Sequence, residues 1–151
     1  MSTMDTSSAV SPIVAEITIN APAEQVFEAL ANPEQRVAWW GMKGRFEAKE
    51  MESDLRPGGR WIMRGTTGLG GKSWNATGEY RTVERPRRLV FTWLPSWHEN
   101  ATETVVSFEL DERDGVTTVR LTHSGLANEE ARSKHQGWPQ ILSWLRDYVQ
   151  K

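Results

Sequence analysis

The strongest pattern in the chain is its C-terminal segment, Gly137-Trp138-Pro139-Gln140-Ile141-Leu142-Ser143-Trp144-Leu145-Arg146-Asp147-Tyr148-Val149. At roughly 100° per residue, its large apolar side chains fall in one arc about 160° wide, and polar side chains occupy the opposite side. Burial of that arc would contribute on the order of 10–20 kcal/mol gross. The segment therefore predicts an amphipathic helix that needs a broad apolar surface to receive it. The arc comprises seven residues: Trp138, Ile141, Leu142, Trp144, Leu145, Tyr148 and Val149.

Pro139 is the irregular feature of this predicted helix. Inside a helix, a proline removes one backbone hydrogen bond and clashes with the carbonyl four residues earlier. Gly137 precedes it by two positions. We therefore expect either a kink or a break between a part over residues 128–136 and a part over residues 138–149.

The chain before this segment alternates apolar and polar residues, which is typical of half-buried strands. The Asn32-Pro33 pair separates two short helical segments, because a proline disfavours helical geometry in the residue before it. Residues 1–11 are aperiodic and predict a disordered tail, which leaves residues 12–151 as one domain. We predict a first strand over 13–20, helices over 24–31 and 33–40, and six more strands over 45–52, 60–65, 73–84, 89–93, 102–110 and 117–123.

Composition limits the classes of function. The 151 residues carry a net charge of −2, whereas nucleic-acid binding needs a basic surplus, so we expect no nucleic-acid partner. No apolar run approaches the roughly 20 residues of a membrane span and no signal pattern opens the chain, which predicts a cytoplasmic protein. There is no cysteine, and His98, His123 and His135 lack metal-ligand spacing, so we expect neither metal nor cofactor. The sequence leaves open whether the protein is a monomer or a homodimer.

Several short motifs follow one another in a specific order and spacing, and together they span nearly everything from residue 13 to residue 149. They are residues 19–30, residues 33–40, Asp54-Leu55-Arg56-Pro57-Gly58-Gly59-Arg60-Trp61, Gly78-Glu79-Tyr80, Pro86-Arg87-Arg88-Leu89-Val90-Phe91-Thr92-Trp93, Leu121-Thr122-His123-Ser124-Gly125-Leu126 and Gly137-Trp138. In this combination the chain resembles the START-like helix-grip superfamily, also called SRPBCC. Within it, the chain most resembles the branch named for the activator of heat-shock-protein-90 ATPase.

The resemblance implies an α+β fold. A seven-stranded curved antiparallel sheet would wrap around a long C-terminal helix, and two short helices would follow the first strand. It also implies a cavity between sheet and helix that holds a small apolar or aromatic molecule. Members of the superfamily do not share one chemistry, so the fold alone implies no reaction.

Strand parity turns a set of large side chains toward the apolar face of the C-terminal helix. Two tryptophans at the end of the second short helix are predicted to lie at one entrance. So many indoles are difficult to pack densely without leaving a void, which favours a ligand cavity over a filled core. The predicted cavity residues are Trp39, Trp40, Trp61, Met63, Phe91, Trp93, Val106, Phe108, Leu121, His123, Trp138, Ile141, Leu142 and Leu145.

Two titratable residues are weak catalytic candidates. His123 is the histidine that parity turns inward, where it could orient a ligand or act as an acid or base. The alternative is a core-edge histidine bonded to the backbone or to Thr122. Glu79 could bind a polar group of a ligand, although its neighbours Thr77 and Arg81 favour a solvent-facing position.

Three functions compete at this level. The first is non-enzymatic binding of a small apolar or aromatic molecule. The second is a cyclase, dehydratase or hydrolase that uses His123, alone or with Glu79, as acid or base. The third is a chaperone-associated interaction module, which is weakened because no separate N-terminal chaperone-binding domain precedes the matched residues.

Overall fold

The computed structural model describes residues 10–42, 46–67, 71–97, 102–133 and 135–150. Strands and helices follow one another in the order predicted for the helix-grip fold, which is confirmed. The elements are β1 Ile13–Ile19, α1 Ala23–Ala31, α2 Pro33–Trp39, β2 Gly41–Met42, β3 Phe46–Ser53, β4 Arg60–Thr67, β5 Lys72–Glu84, β6 Arg88–Pro95, β7 Thr104–Arg113, β8 Val116–Ser124, α3 Glu129–Ser133 and α4 Trp138–Val149.

All strands pair antiparallel in one sheet of order β1-β8-β7-β6-β5-β4-β3-β2. The seven predicted strands are present, and the two-residue β2 extends the edge by pairing with β3. A strand of two residues is too short to show a period in the sequence. The pairing register shifts between Ala48 and Glu50 and again between Tyr80 and Thr82, and such irregularities bend a sheet. The curved face holds the core.

The last helical region is broken. α3 ends at Ser133, and α4 begins at Trp138 with Gly137 as its N-cap. Pro139 is therefore the second residue of a new helix, where its missing N–H would have had no intrahelical partner. The break predicted as one of two outcomes is the one that forms, and the kink does not.

The buried face of α4 is narrower than its apolar arc. Trp138, Leu142 and Leu145 are buried, and the helix packs against β1, α1 and α2. The other four residues of the arc are only half-buried: Ile141, Trp144, Tyr148 and Val149. The apolar surface of α4 therefore exceeds what the core covers.

Most of the predicted N-terminal tail, residues 1–9, lies outside the described residues, and so does His98. The carbonyl of Ser11 is described and accepts a hydrogen bond from Nε of Arg132 at 3.1 Å. Within the described ranges, no helix has the length and apolar character required to cross a membrane.

Candidate functional site

A pocket of about 180 Å³ lies between β6, the residues that follow α2, and the start of α4. It is open on one side, and aromatic side chains supply most of its wall. The lining residues are Trp40, Phe46, Trp93, Trp97, His135, Gly137, Trp138, Ile141 and Trp144.

Three indoles form what we call the aromatic floor of the pocket: Trp40, Trp93 and Trp138. Their ring centroids are 5.8 Å apart for Trp40 and Trp93, 6.1 Å for Trp40 and Trp138, and 5.8 Å for Trp93 and Trp138. Rings at these separations are in contact. All three side chains are buried, so they present a preformed surface.

Local sequence fixes the position of Trp40. The Asn32 side chain caps α2 by accepting hydrogen bonds from the backbone N–H groups of Glu34 and Gln35 at 2.9 and 3.2 Å. The helix ends where the Trp40 N–H donates to the carbonyl of Arg36 at 3.1 Å. The chain then turns through Gly41, whose φ of 112° is favoured only for glycine. A Cβ there would also collide with the carbonyl oxygen of Phe46.

Four of the fourteen predicted cavity residues border this pocket: Trp40, Trp93, Trp138 and Ile141. The other ten are buried and pack in the core beside it. Strand parity predicts which way a side chain points, but not whether a neighbour fills the space in front of it. The ten are Trp39, Trp61, Met63, Phe91, Val106, Phe108, Leu121, His123, Leu142 and Leu145.

Five lining residues are not among the predicted cavity residues: Phe46, Trp97, His135, Gly137 and Trp144. For Trp144, the signal available in the sequence was its membership of the apolar arc of the last helix. Phe46 and Trp74 stack with centroids 4.4 Å apart, and Trp97 packs edge-on against both rings at 5.4 Å. That cluster joins β3, β5 and the residues after β6, so no local pattern could reveal it.

His123 is fully buried and both of its ring nitrogens are hydrogen-bonded. The indole N–H of Trp138 donates to Nδ1 at 3.0 Å. Because an indole nitrogen can only donate, Nδ1 must accept, and the proton of the neutral ring sits on Nε2. Nε2 then donates to Oγ1 of Thr104 at 2.7 Å, and that hydroxyl donates to the carbonyl of Trp93 at 3.3 Å.

This environment keeps His123 uncharged. Burial, with a smaller contribution from the neighbouring His135, lowers the pKa of His123 to about 3. Protonation would also place two donors, the Nδ1–H and the Trp138 N–H, against each other. With both nitrogens hydrogen-bonded inside the protein, the ring has no free nitrogen to offer a ligand in this structure.

Glu79 lies on the other face of the sheet from the pocket. It precedes the buried Tyr80 on β5, so strand alternation turns it outward. Its carboxylate lies 3.5 Å from Nε of Arg81, and its side chain is 39% exposed. The structure thus separates Glu79 from His123.

Arg36 is a buried cation that the sequence reasoning did not single out. Its guanidinium carbon lies 4.9 Å from the centroid of Trp40 and 5.6 to 6.0 Å from those of Trp39, Trp61 and Phe91. Its Nη1 donates to the Leu30 carbonyl at 3.1 Å. Burial lowers the pKa of Arg36 to about 10, so it remains charged. The available signal was its spacing, because Arg36 shares a helix face with residues three and four positions later.

No group of three or more His, Asp or Glu residues suited to a metal ion occurs in the described part of the chain.

Comparisons with known proteins identify the family and similar folds. The family model for activator of Hsp90 ATPase homolog 1-like protein matches residues 20–150, in agreement with the resemblance carried by the motifs. A comparison with curated proteins gave no match.

Several solved structures are similar. Protein CV1439 from Chromobacterium violaceum is 22% identical with a TM-score of 0.80, over 94% of this chain and 99% of that one. Protein Ms6760 from Mycobacterium smegmatis is 21% identical with a TM-score of 0.74, over 97% and 91% of the two chains. CalU16 from Micromonospora echinospora is 25% identical with a TM-score of 0.69, over 91% and 75%.

Proposed function

This chain belongs to the family of activator of Hsp90 ATPase homolog 1-like proteins, and we propose that it binds a small apolar or aromatic molecule between its sheet and α4. The observation that carries the proposal is the aromatic floor of Trp40, Trp93 and Trp138 beneath an open pocket. Flat aromatic surfaces favour aromatic ligands, because rings gain by edge and offset contacts with them.

The size of the pocket limits the ligand. Its volume of about 180 Å³ is below the roughly 300–1,000 Å³ of sites for drug-sized molecules. It slightly exceeds the roughly 150 Å³ of an apolar cavity that holds benzene. The pocket therefore suits one aromatic ring or an aliphatic group of that size, with the remainder of a larger ligand at the open side.

The state of His123 favours binding over catalysis. An acid or base needs a nitrogen within reach of the ligand, and both nitrogens of His123 are engaged within the core. Glu79 lies on the outer face of the sheet, so it cannot act as a catalytic partner of His123. A chaperone partner, which the family's description suggests, stays a prediction. The pocket does not support it, because a pocket of this size receives part of a small molecule and not a protein surface.

Titration with toluene, followed by the indole N–H signals in a nitrogen-15 NMR spectrum, tests the proposal. We expect the signals of Trp93 and Trp138 to shift and that of Trp39 to stay, because Trp39 does not border the pocket. Ile141→Phe should weaken binding by roughly 5- to 150-fold, since overpacking costs about 1–3 kcal/mol. Leu94→Phe is the matched control, because Leu94 is exposed on β6. An unchanged spectrum, or equal affinity in both variants, would contradict the proposal.

A further inference from the structure

The charge of Arg36 is buried, and no carboxylate among the described residues pairs with it. The side chain is 2% exposed, and its pKa is influenced by burial and by Tyr80 but by no carboxylate. Its Nη1 has a partner, whereas Nε and Nη2 have none among the described residues. A buried charge is costly unless it is paired, and contact with aromatic faces offsets only part of that cost.

The unpartnered atoms around Arg36 are all hydrogen-bond donors. The indole nitrogens of Trp40, Trp61 and Trp93 are buried and without partners in the described part of the chain, as are Nε and Nη2 of Arg36. Guanidinium and indole N–H groups cannot accept. Trp61 contacts both Arg36 and Trp93, at 6.0 Å and 5.9 Å, so these donors belong to one cluster. No acceptor in the described ranges pairs with these five N–H groups.

This donor cluster adjoins the pocket. Trp40 and Trp93 border the pocket and also belong to the cluster, and the Arg36 guanidinium lies 4.9 Å from the Trp40 ring. Arg36 itself does not border the pocket, and Trp40 links the two by contact with both. Because Arg36 is enclosed, a polar group of a ligand reaches it only if the side chains that surround it, Trp40 among them, move.

We propose that the natural ligand is an aromatic or apolar carboxylate, whose ring occupies the pocket and whose carboxylate pairs with Arg36 and the neighbouring indole N–H groups. The inference rests on the proposed function and narrows it to a class of ligand. A guanidinium matches a carboxylate geometrically through two parallel hydrogen bonds. A monoanion fits better than a dianionic phosphate, because Arg36 supplies a single positive charge to the cluster and a second negative charge would be buried unpaired.

The test compares two probes of equal shape, sodium benzoate and neutral benzamide, by calorimetry. The proteins are the wild type, Arg36→Met, Arg36→Lys and the control Arg85→Met. Arg85 also lies over an aromatic ring, Phe27 at 5.1 Å, but it is partly exposed and pairs with Glu24 and Glu28. It therefore controls for loss of an arginine–ring contact.

We expect the wild type and Arg85→Met to bind benzoate more tightly than benzamide. Arg36→Met should lower benzoate affinity by roughly 10- to 150-fold, the range for hydrogen bonds to a charged group, and leave benzamide affinity unchanged within about threefold. Arg36→Lys should keep part of the preference, because it keeps the charge. In wild-type spectra, benzoate but not benzamide should shift the indole N–H signal of Trp61, a readout that does not depend on any variant folding.

Equal affinity of the wild type for the two probes would overturn the inference and leave the proposed function standing. An equal loss of affinity for benzoate and benzamide in Arg36→Met would have the same consequence, because it would indicate that Arg36 only supports the fold. If the wild type binds toluene but neither probe, the carboxylate inference fails alone. If toluene also fails to bind, the proposed function fails with it.

Discussion

The indole N–H of Trp138, the first residue of α4, donates to Nδ1 of His123 on β8 at 3.0 Å, and both side chains are buried. This bond links the start of the C-terminal helix to the end of β8, the strand beside the edge strand β1. It also determines the tautomer of His123, and through Nε2 the position of Thr104. A residue that was a candidate acid or base in the sequence is thereby part of the structural core.

Trp138→Phe should lower the free energy of unfolding by about 1–3 kcal/mol beyond the loss of apolar contact, because it leaves a buried acceptor unsatisfied. Urea denaturation measures the change. Trp144→Phe is the control, since Trp144 is a half-buried tryptophan of the same helix. Equal losses in the two variants would show that the bond to His123 contributes nothing.

The depressed pKa of His123 predicts acid sensitivity. The native state holds the ring neutral down to about pH 3, whereas the unfolded chain takes up a proton near pH 6.5. The unfolded state thus binds more protons between those values, and the stability that is present above pH 6.5 is lost as the pH falls toward 3. Between pH 6 and pH 4 the wild type should lose up to about 1.4 kcal/mol per pH unit more than His123→Gln.

Urea melts of the wild type and of His123→Gln at several pH values measure that difference. The contributions of the carboxylates, which the two proteins share, cancel in it. Parallel pH profiles would mean that His123 titrates alike in the folded and unfolded chains. Because His123 does not border the pocket, toluene affinity in His123→Gln should stay within a few-fold of the wild type wherever the variant is folded.

Leu145→Asp should unfold the protein or destabilise it by at least about 4 kcal/mol, because Leu145 is fully buried and the carboxylate would have no partner. Gln140→Asp places the same side chain on an exposed position of α4 and should change stability by less than about 1 kcal/mol. Thermal melts of the two variants provide the comparison. A melting temperature of Leu145→Asp within a few degrees of the wild type would mean that α4 does not dock as described.

Gly78→Ala should destabilise the sheet by about 1–3 kcal/mol through overpacking. A Cβ on Gly78 would collide with the Thr92 carbonyl oxygen and lie 2.5 Å from Nε1 of Trp61. Gly137→Ala is the control, since a Cβ there meets nothing within 4 Å, and its cost should remain within about 1 kcal/mol. Similar unfolding free energies for both variants, measured by urea denaturation, would argue that Trp61 has room to move.

Much of the architecture was predictable from the sequence because it depends on short-range periodicity. Alternation along residues 13–20 and 117–123 anticipated β1 and β8, and the apolar arc anticipated α4. The Asn32-Pro33 pair separated α1 from α2 through the geometry of the chain itself. Pro139 marked an irregularity in the last helical region. That the irregularity is a break depended on how Trp138 docks.

The site depended on contacts between residues far apart in the chain. Periodicity gives the direction of a side chain relative to its own backbone, but the pocket exists where Trp40, Trp93 and Trp138 fail to fill the space between three separate elements. The tautomer of His123 is set by a residue fifteen positions away. The burial of Arg36 is set by rings such as Phe91 from the opposite side of the core. Volume, tautomer and desolvation are properties of the packed interior, and only the tertiary structure brings those groups together.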